Sequence, residues 1–162
     1  LTAREVPIEA VIASPLTRAQ QTADPISQAY DLEIGTDDRL IEAGNDYEGG
    51  RLPTGAKDIL KASELWRLRN PWKPSWGEPY KEQATRMRAA IRAAAAQHET
   101  SLLVSHQLPI WIARRSVEGG TYLPDPRRRE CALASLTTFE IDDDLIRLVG
   151  YAEPAAHVAV PS

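Results

Sequence analysis

The chain has 162 residues and a formal net charge of −4, from 19 Lys and Arg against 23 Asp and Glu. This length is typical of one domain with its own core, and we expect a single domain over residues 1–162. The near balance of charge argues against nucleic acid as a partner, because nucleic-acid-binding proteins usually show a basic excess or stripe. No apolar run approaches the ~18 residues of a membrane span, so no membrane partner is predicted.

The only cysteine, Cys131, excludes an internal disulfide framework and is typical of a protein of the reducing cytoplasm. Its apolar surroundings, "CALASL", predict a core residue rather than a nucleophile. The basic cluster "DPRRREC" at 125–131 is interpreted as a solvated loop, with an anion site as the alternative. The chain contains no GxxxxGK[ST] phosphate loop, no GxSxG nucleophile elbow and no HExxH metal pair. No metal or other cofactor is predicted.

The first predicted element is the largely apolar strand "IEAVIAS" over residues 8–14. A helix is predicted to follow it, with Ser14 as N-cap and Pro15 at the first helical position. Arg18 lies at this strand-to-helix corner, away from the helix face that the three- and four-residue steps of apolar residues predict to be buried. The residues of that face are Leu16, Ala19, Ala23 and Ile26.

The middle of the chain is rich in helix and strand breakers. A turn is predicted near Gly35, and residues 43–77 are interpreted as an ordered, lid-like excursion over the sheet. From Glu78 to about His98 the sequence predicts a long amphipathic helix, with a carboxylate at the end where the helix dipole favours one. The apolar positions of this helix are Tyr80, Ala84, Met87, Ile91 and Ala94.

A second apolar strand, Leu102 to Ser105, stops at His106, and a helix is predicted from about Leu108. The segments "CALASLTTFEI" and "LIRLVGYAE" are interpreted as an antiparallel hairpin at the sheet edge. The alternation of strands and helices predicts an α/β fold with a mostly parallel sheet. Because the carboxyl ends of parallel strands share one edge, we expect Arg18 and His106 to meet in one crevice.

Glu42 follows Leu40 in the breaker-rich segment "RLIEAGNDYEGG". An arginine, a histidine and a carboxylic acid form a set that is typical of phosphoryl transfer. Arginine neutralises phosphate oxygens, histidine donates to or attacks phosphorus, and the acid protonates the leaving oxygen. A lone histidine is usually structural, so the interpretation of His106 as functional depends on the presence of Arg18 and Glu42.

Four segments of the chain resemble motifs of the histidine phosphatase superfamily, the phosphoglycerate-mutase-like proteins. "SPLTRAQQTA" resembles the SPLxRAxQTA segment, and "VSHQLPI" resembles the second histidine motif. "RLIEAGNDYEG" resembles the L-x-E…W-E-G loop, with Tyr47 in place of tryptophan, and "SWGEPYKEQATRM" resembles the G-E-S…R helix start. The segments follow the family's order and span nearly the whole chain.

The resemblance implies a three-layer αβα sandwich and a phosphomonoester hydrolase that acts through a phosphohistidine. Arg18 would line the phosphate pocket, Glu42 would protonate the leaving group, and His106 would stabilise the transferring phosphoryl group. Asn45 and Gln107 are weaker candidates for contact with a small phosphorylated substrate. A phosphomutase of the same superfamily is the alternative, because the outcome depends on how the lid excludes water.

The sequence contains no R-H-G, the motif that carries the family's nucleophilic histidine. We therefore expect some tens of residues before Leu1, with an R-H-G strand between "IEAVIAS" and "SLLVS" in the middle of the sheet. Both of these strands are apolar at nearly every position, as strands buried on both faces are. If the nucleophile is absent altogether, the alternative is a non-catalytic module that keeps its anion pocket for recognition.

Overall fold

A computed structural model of the chain describes residues 7–42, 78–120, 122, 131–143 and 145–156. The predicted lid at 43–77, which includes Asn45, and residues 125–130 of the arginine cluster lie outside these ranges. The strands are β1 (Ala10–Ala13), β2 (Ile34–Thr36), β3 (Ser101–Val104), β4 (Leu136–Asp142) and β5 (Leu145–Ala152). The helices are α1 (Thr17–Tyr30), α2 (Tyr80–Ala95) and α3 (Gln107–Glu118), with a 3₁₀ turn at Asp38–Leu40.

The parallel sheet has the order β2-β1-β3, so β1 lies in its middle. Val11 of β1 is opposite Ile34 on one side and Leu102 on the other. The expectation of a further strand between β1 and β3 is wrong, because these two strands pair directly, from Ala10 opposite Ser101 onwards. Their main-chain groups are hydrogen-bonded to each other, so neither strand has an unpaired inner edge for another strand to fill.

Helices cover both faces of this sheet, because successive side chains of a strand point to opposite sides. On one face, Val11 and Ala13 of β1 pack with Ala23 of α1. On the other, Ile12 packs against the cluster that contains Met87 of α2, together with residues of α3. The predicted α/β fold with an αβα arrangement is confirmed, and the apolar character of β1 follows from burial on both faces.

Two local predictions in the first third of the chain are wrong. Helix α1 begins at Thr17, with Leu16 rather than Ser14 as N-cap, because Ser14 is still held beside β3 by a 2.9 Å hydrogen bond from its N–H to the carbonyl of Val104. Gly35 does not form a turn but lies in β2, opposite Ile12. The turn comes earlier, at Asp31, whose φ of 54° ends α1 in the left-handed region.

The predicted amphipathic helix is confirmed as α2, which ends at Ala95 rather than near His98. All five apolar positions named from the sequence are buried in it. The helix begins at Tyr80 rather than at Glu78, which lies two residues before it. Glu78 makes a two-pronged ion pair with Arg86, with Nη2 2.8 Å from Oε2, and so joins the segment before the helix to its second turn.

The antiparallel hairpin is confirmed as β4 and β5, which pair from Leu136 opposite Ala152 to Asp142 opposite Leu145. Within the described ranges it forms a two-stranded sheet of its own. Ile146 of β5 packs into the same cluster as Met87, so the hairpin shares the core with α2 and α3.

Cys131 is 2% exposed, which confirms the prediction that it is a core residue. Among the described helices, none has both the length and the apolar character needed to cross a membrane.

Candidate active site

Three side chains from separate segments converge at the carboxyl edge of the parallel sheet. Arg18 is the second residue of α1, His106 is the N-cap of α3, and Glu42 follows the 3₁₀ turn. Arg18 donates from Nε to Nδ1 of His106 at 3.2 Å. Oε2 of Glu42 lies 3.7 Å from that nitrogen and 3.8 Å from Nη2 of Arg18. The structure thus brings together the three residues that the sequence selects for phosphoryl chemistry.

The three side chains differ in their access to solvent. The His106 side chain is 5% exposed, that of Glu42 is 33% exposed and that of Arg18 is 58% exposed. The imidazole therefore forms the floor of the cluster, the carboxylate its wall and the guanidinium its rim. A cation at the rim attracts an anion from solution, while a buried polar ring beneath it is held in one orientation.

The contacts of His106 indicate which of its two ring nitrogens carries hydrogen. Nδ1 accepts from Arg18, so it has no hydrogen of its own in this arrangement. Nε2 lies 2.9 Å from the hydroxyl oxygen of Ser14, which is fully buried. The neutral imidazole with hydrogen on Nε2 satisfies both contacts at once, with Nε2–H donating to Ser14.

Two helix N-termini meet the same edge of the sheet. The N-cap residues of α1 and α3, Leu16 and His106, make no side-chain capping bond, and neither helix has an acidic residue in its first turn. The first backbone N–H groups of a helix lack intrahelical acceptors and carry partial positive charge. This end of the sheet therefore favours a bound anion.

The segment that carries Glu42 is fixed by side chains from the rest of the core. Arg86 donates from Nη1 to the carbonyl of Arg39 at 2.6 Å, and Ser105 donates from Oγ to the carbonyl of Leu40 at 2.7 Å. Arg39 also donates hydrogen bonds from Nε and Nη2 to the Asp37 carboxylate, and these hydrogen bonds lower the pKa of Asp37 below its usual value. The backbone before Glu42 is thus held from two directions.

Sequence reasoning missed Ser14 as a partner of His106, and it missed Ser105 and Arg86 as anchors of the Glu42 segment. Both serines stand at strand ends beside predicted site residues, so the rule that selected Arg18 and His106 could have found them. Gln107 donates from its side-chain nitrogen to the carbonyl of Cys131, and the Cys131 thiol contacts the Gln107 carbonyl at 3.3 Å. The side-chain amide nitrogen of Gln107 therefore joins the start of α3 to Cys131.

The donor set of the cluster suits an anion better than a metal ion. A guanidinium cannot ligate a cation, which leaves one imidazole and one carboxylate. In the part of the chain that the structure describes, no group of three or more His, Cys, Asp or Glu side chains is placed to hold a metal ion.

Comparisons with known proteins identify relatives of the chain. The chain is 49% identical to the uncharacterised protein Rv0525 of Mycobacterium tuberculosis over 152 residues, which are 92% of this chain and 75% of that protein. It is 32% identical to a probable phosphoglycerate mutase, GpmB, of Erwinia tasmaniensis over 148 residues, 86% of this chain and 65% of that protein.

A solved structure with the same fold is the mycobacterial glucosyl-3-phosphoglycerate phosphatase Rv2419c in complex with VO₃. It matches with a TM-score of 0.65 at 21% identity, over 88% of this chain and 74% of that one. The sequence model of the histidine phosphatase superfamily, branch 1, matches residues 2–154. This match spans nearly the whole chain, and the chain belongs to the histidine phosphatase superfamily.

Proposed function

We propose that the cluster of Arg18, Glu42 and His106 acts on a small phosphomonoester and transfers its phosphoryl group to water. The observation that carries this proposal is the meeting of a guanidinium, a carboxylate and an imidazole nitrogen around one point, with separations of 3.2, 3.7 and 3.8 Å. A phosphoryl group needs these three functions in such proximity, namely a cation for its oxygens, an acid for its leaving group and a hydrogen-bond donor.

Arg18 is proposed to bind the phosphate oxygens. Its guanidinium offers five N–H donors, of which one is directed to His106 in the present arrangement. The exposed position of the side chain and the two uncapped helix N-termini at the same edge both support anion binding there.

Glu42 is proposed to be the general acid. Its carboxyl lies at the boundary between the buried His106 ring and the exposed Arg18 guanidinium, where the oxygen of a departing alcohol would meet it. In the protonated form it gives its proton to that oxygen, and as a carboxylate it then takes a proton from the water that attacks next.

His106 is proposed to stabilise the charge of the phosphoryl group as it is transferred. Nδ1 faces the other two side chains, whereas Nε2 is directed into the interior. When Nδ1 carries hydrogen, it donates to an equatorial oxygen of the phosphoryl group. Burial of the ring supports this role, since a preorganised donor in a dry site acts more strongly than one in water.

The proposed route has two steps. A histidine acceptor attacks phosphorus while the alcohol leaves with the proton of Glu42, and water then cleaves the phosphohistidine to release phosphate. In the family this acceptor belongs to the R-H-G motif, which this sequence does not contain. The assignments to Arg18, Glu42 and His106 therefore concern binding, protonation and charge stabilisation.

A phosphomutase is the second candidate, and the similarity to a probable phosphoglycerate mutase favours it. In that case the phosphohistidine returns its phosphoryl group to another hydroxyl of the same substrate instead of to water. The cluster would serve both reactions in the same way, because the difference lies in the acceptor that reaches the intermediate.

The test is to incubate the full-length protein with a panel of phosphomonoesters and to measure released phosphate beside positional transfer within the substrate. Release of phosphate that depends on Arg18 and His106 supports the hydrolase. Positional transfer without release supports the mutase. Binding of inorganic phosphate with neither reaction contradicts both and supports the non-catalytic module.

A further inference from the structure

Ser14 occupies a fixed position beside Nε2 of His106. It follows the last residue of β1 and is 0% exposed. Its N–H donates to the carbonyl of Val104 at 2.9 Å, and its carbonyl accepts from the side chain of Gln20 at 2.7 Å. Because both backbone groups are held, the hydroxyl has little room to move relative to β3 and α1.

The two nitrogens of His106 face two different environments. Nδ1 faces Arg18 and Glu42, whereas Nε2 lies 2.9 Å from the Ser14 hydroxyl oxygen. In the arrangement described here, Nδ1 accepts and Nε2 donates. To stabilise a phosphoryl oxygen, however, Nδ1 has to donate, which requires hydrogen on that nitrogen.

A hydroxyl is suited to this change, because it both donates and accepts. A backbone carbonyl in the same place would accept from Nε2–H and hold the hydrogen there. A carboxylate would in addition favour the charged imidazolium. The serine hydroxyl accepts from Nε2–H in one form, and by rotation of its own hydrogen it donates to bare Nε2 in the other.

We propose that Ser14 is a positioning residue that directs Nδ1 of His106 towards the phosphoryl site and lets the neutral ring carry hydrogen on either nitrogen. The inference rests on the function proposed above. The exchange leaves the ring neutral: Nδ1 takes up one proton from solvent, in place of the hydrogen bond that Arg18 donates to it, and Nε2 returns one proton to solvent. The ring keeps its place throughout because Oγ of Ser14 remains its partner in both forms.

The first test uses ¹⁵N NMR of histidine-labelled full-length protein at a pH where the ring is neutral, with His106→Ala to assign the signals. We expect wild type to show hydrogen on Nε2, and inorganic phosphate to shift it towards Nδ1. In Ser14→Ala the shift towards Nδ1 should be smaller, since bare Nε2 has lost the hydroxyl that donates to it, and the ligand-free Nε2 signal should move because Nε2–H has lost its acceptor. A phosphate-induced shift equal to that of wild type in Ser14→Ala overturns the proposal.

This measurement distinguishes a failure of the proposed phosphate site from a failure of the proposed role of Ser14. If phosphate leaves the His106 signals of wild type unaltered, the proposed phosphate site is wrong, but the ligand-free spectra of wild type and Ser14→Ala still decide whether Ser14 directs the ring. If Ser14→Ala fails to fold, Ser14→Cys replaces it, because the thiol keeps the size and is a weaker hydrogen-bonding partner.

The second test is a double-mutant cycle in turnover. Ser14→Ala should lower kcat about tenfold with little change in KM, and it should have no further effect in a His106→Ala background. Ser27→Ala is the matched control, since Ser27 is also buried and its hydroxyl donates to the carbonyl of Leu32 at 2.5 Å, away from the cluster. Equal losses from Ser14→Ala in both backgrounds would assign it a purely structural role.

Discussion

The hydroxyl of Ser105 donates a 2.7 Å hydrogen bond to the backbone carbonyl of Leu40. Ser105 directly precedes His106, and Leu40 lies two residues before Glu42. One side chain thus joins the corner that carries the imidazole to the segment that carries the carboxylate. The 3.7 Å separation of Glu42 and His106 is therefore set by a bond within the core and not by the two functional side chains alone.

Ser105→Ala should lower the free energy of unfolding by about 1–3 kcal/mol, because the carbonyl of the fully buried Leu40 loses this donor. Urea denaturation measures the loss. Ser116→Ala is the control, since the Ser116 hydroxyl donates to the carbonyl of Ala113 within helix α3, where a backbone N–H also serves that carbonyl. A Ser105→Ala variant no less stable than Ser116→Ala would show that the bond does not anchor the segment.

Arg18→Ala should weaken the binding of inorganic phosphate by about 10- to 100-fold, which corresponds to the loss of hydrogen bonds from a charged donor. Arg18→Lys keeps the charge but not the planar fork, so an intermediate affinity is expected. Isothermal titration calorimetry provides the dissociation constants.

The matched control for Arg18 is Arg147→Ala on the hairpin. Its side chain is 52% exposed, close to the 58% of Arg18, and it also pairs with a carboxylate, that of Asp142 at 3.5 Å. If the two substitutions weaken phosphate binding equally, the effect is one of net charge, and Arg18 is not part of a phosphate pocket.

Glu42→Gln should slow the hydrolysis of esters with poor leaving groups far more than that of activated aryl phosphates, which need little protonation as they depart. The comparison requires kcat/KM for an alkyl and an aryl ester with wild type and variant. An equal loss for both esters would remove Glu42 as the acid and direct attention to Asp46 or Glu48, which lie outside the described residues.

Asp37→Asn should destabilise the protein at neutral pH by about 0.5–1 kcal/mol, and the effect should be smaller at pH 3. The hydrogen bonds from Arg39 hold the pKa of Asp37 below its usual 3.8, so the folded state binds fewer protons than the unfolded state as pH falls through this range. The contribution is therefore complete above the unfolded pKa and disappears as pH falls through the folded one. Urea unfolding at both pH values tests this, and an equal destabilisation at both would contradict it.

The elements that the sequence predicts well have strong side-chain periodicity. Helix α2 buries all five apolar residues that its steps of three and four single out. Strand β2 was missed because three residues centred on Gly35 show no alternation, and its pairing with β1 alone makes it a strand. A local pattern cannot report a main-chain contact that is supplied by a distant strand.

In the candidate site, too, some features can be predicted from local sequence patterns and others depend on tertiary contacts. Arg18 and His106 could be found because each follows an apolar strand, and parallel strands bring such ends together. The direction of a side chain is set by tertiary contacts, so the pairing of Nε2 with Ser14 could not be read from the sequence. The expected strand between β1 and β3 rests on the family resemblance and on the apolar character of these strands, which reflects helices on both faces and does not define the order of the sheet.

The most direct test of the proposed phosphoryl-transfer site is the turnover of a phosphomonoester by the full-length protein and by its His106→Ala variant, followed as released inorganic phosphate. His106 is the floor of the cluster and contacts Arg18 and Ser14 through its two nitrogens. Loss of a positioned donor in a buried site should lower turnover by about two to four orders of magnitude, with the fold retained by circular dichroism. Turnover equal to that of wild type in the folded variant would contradict a phosphoryl-transfer role for His106.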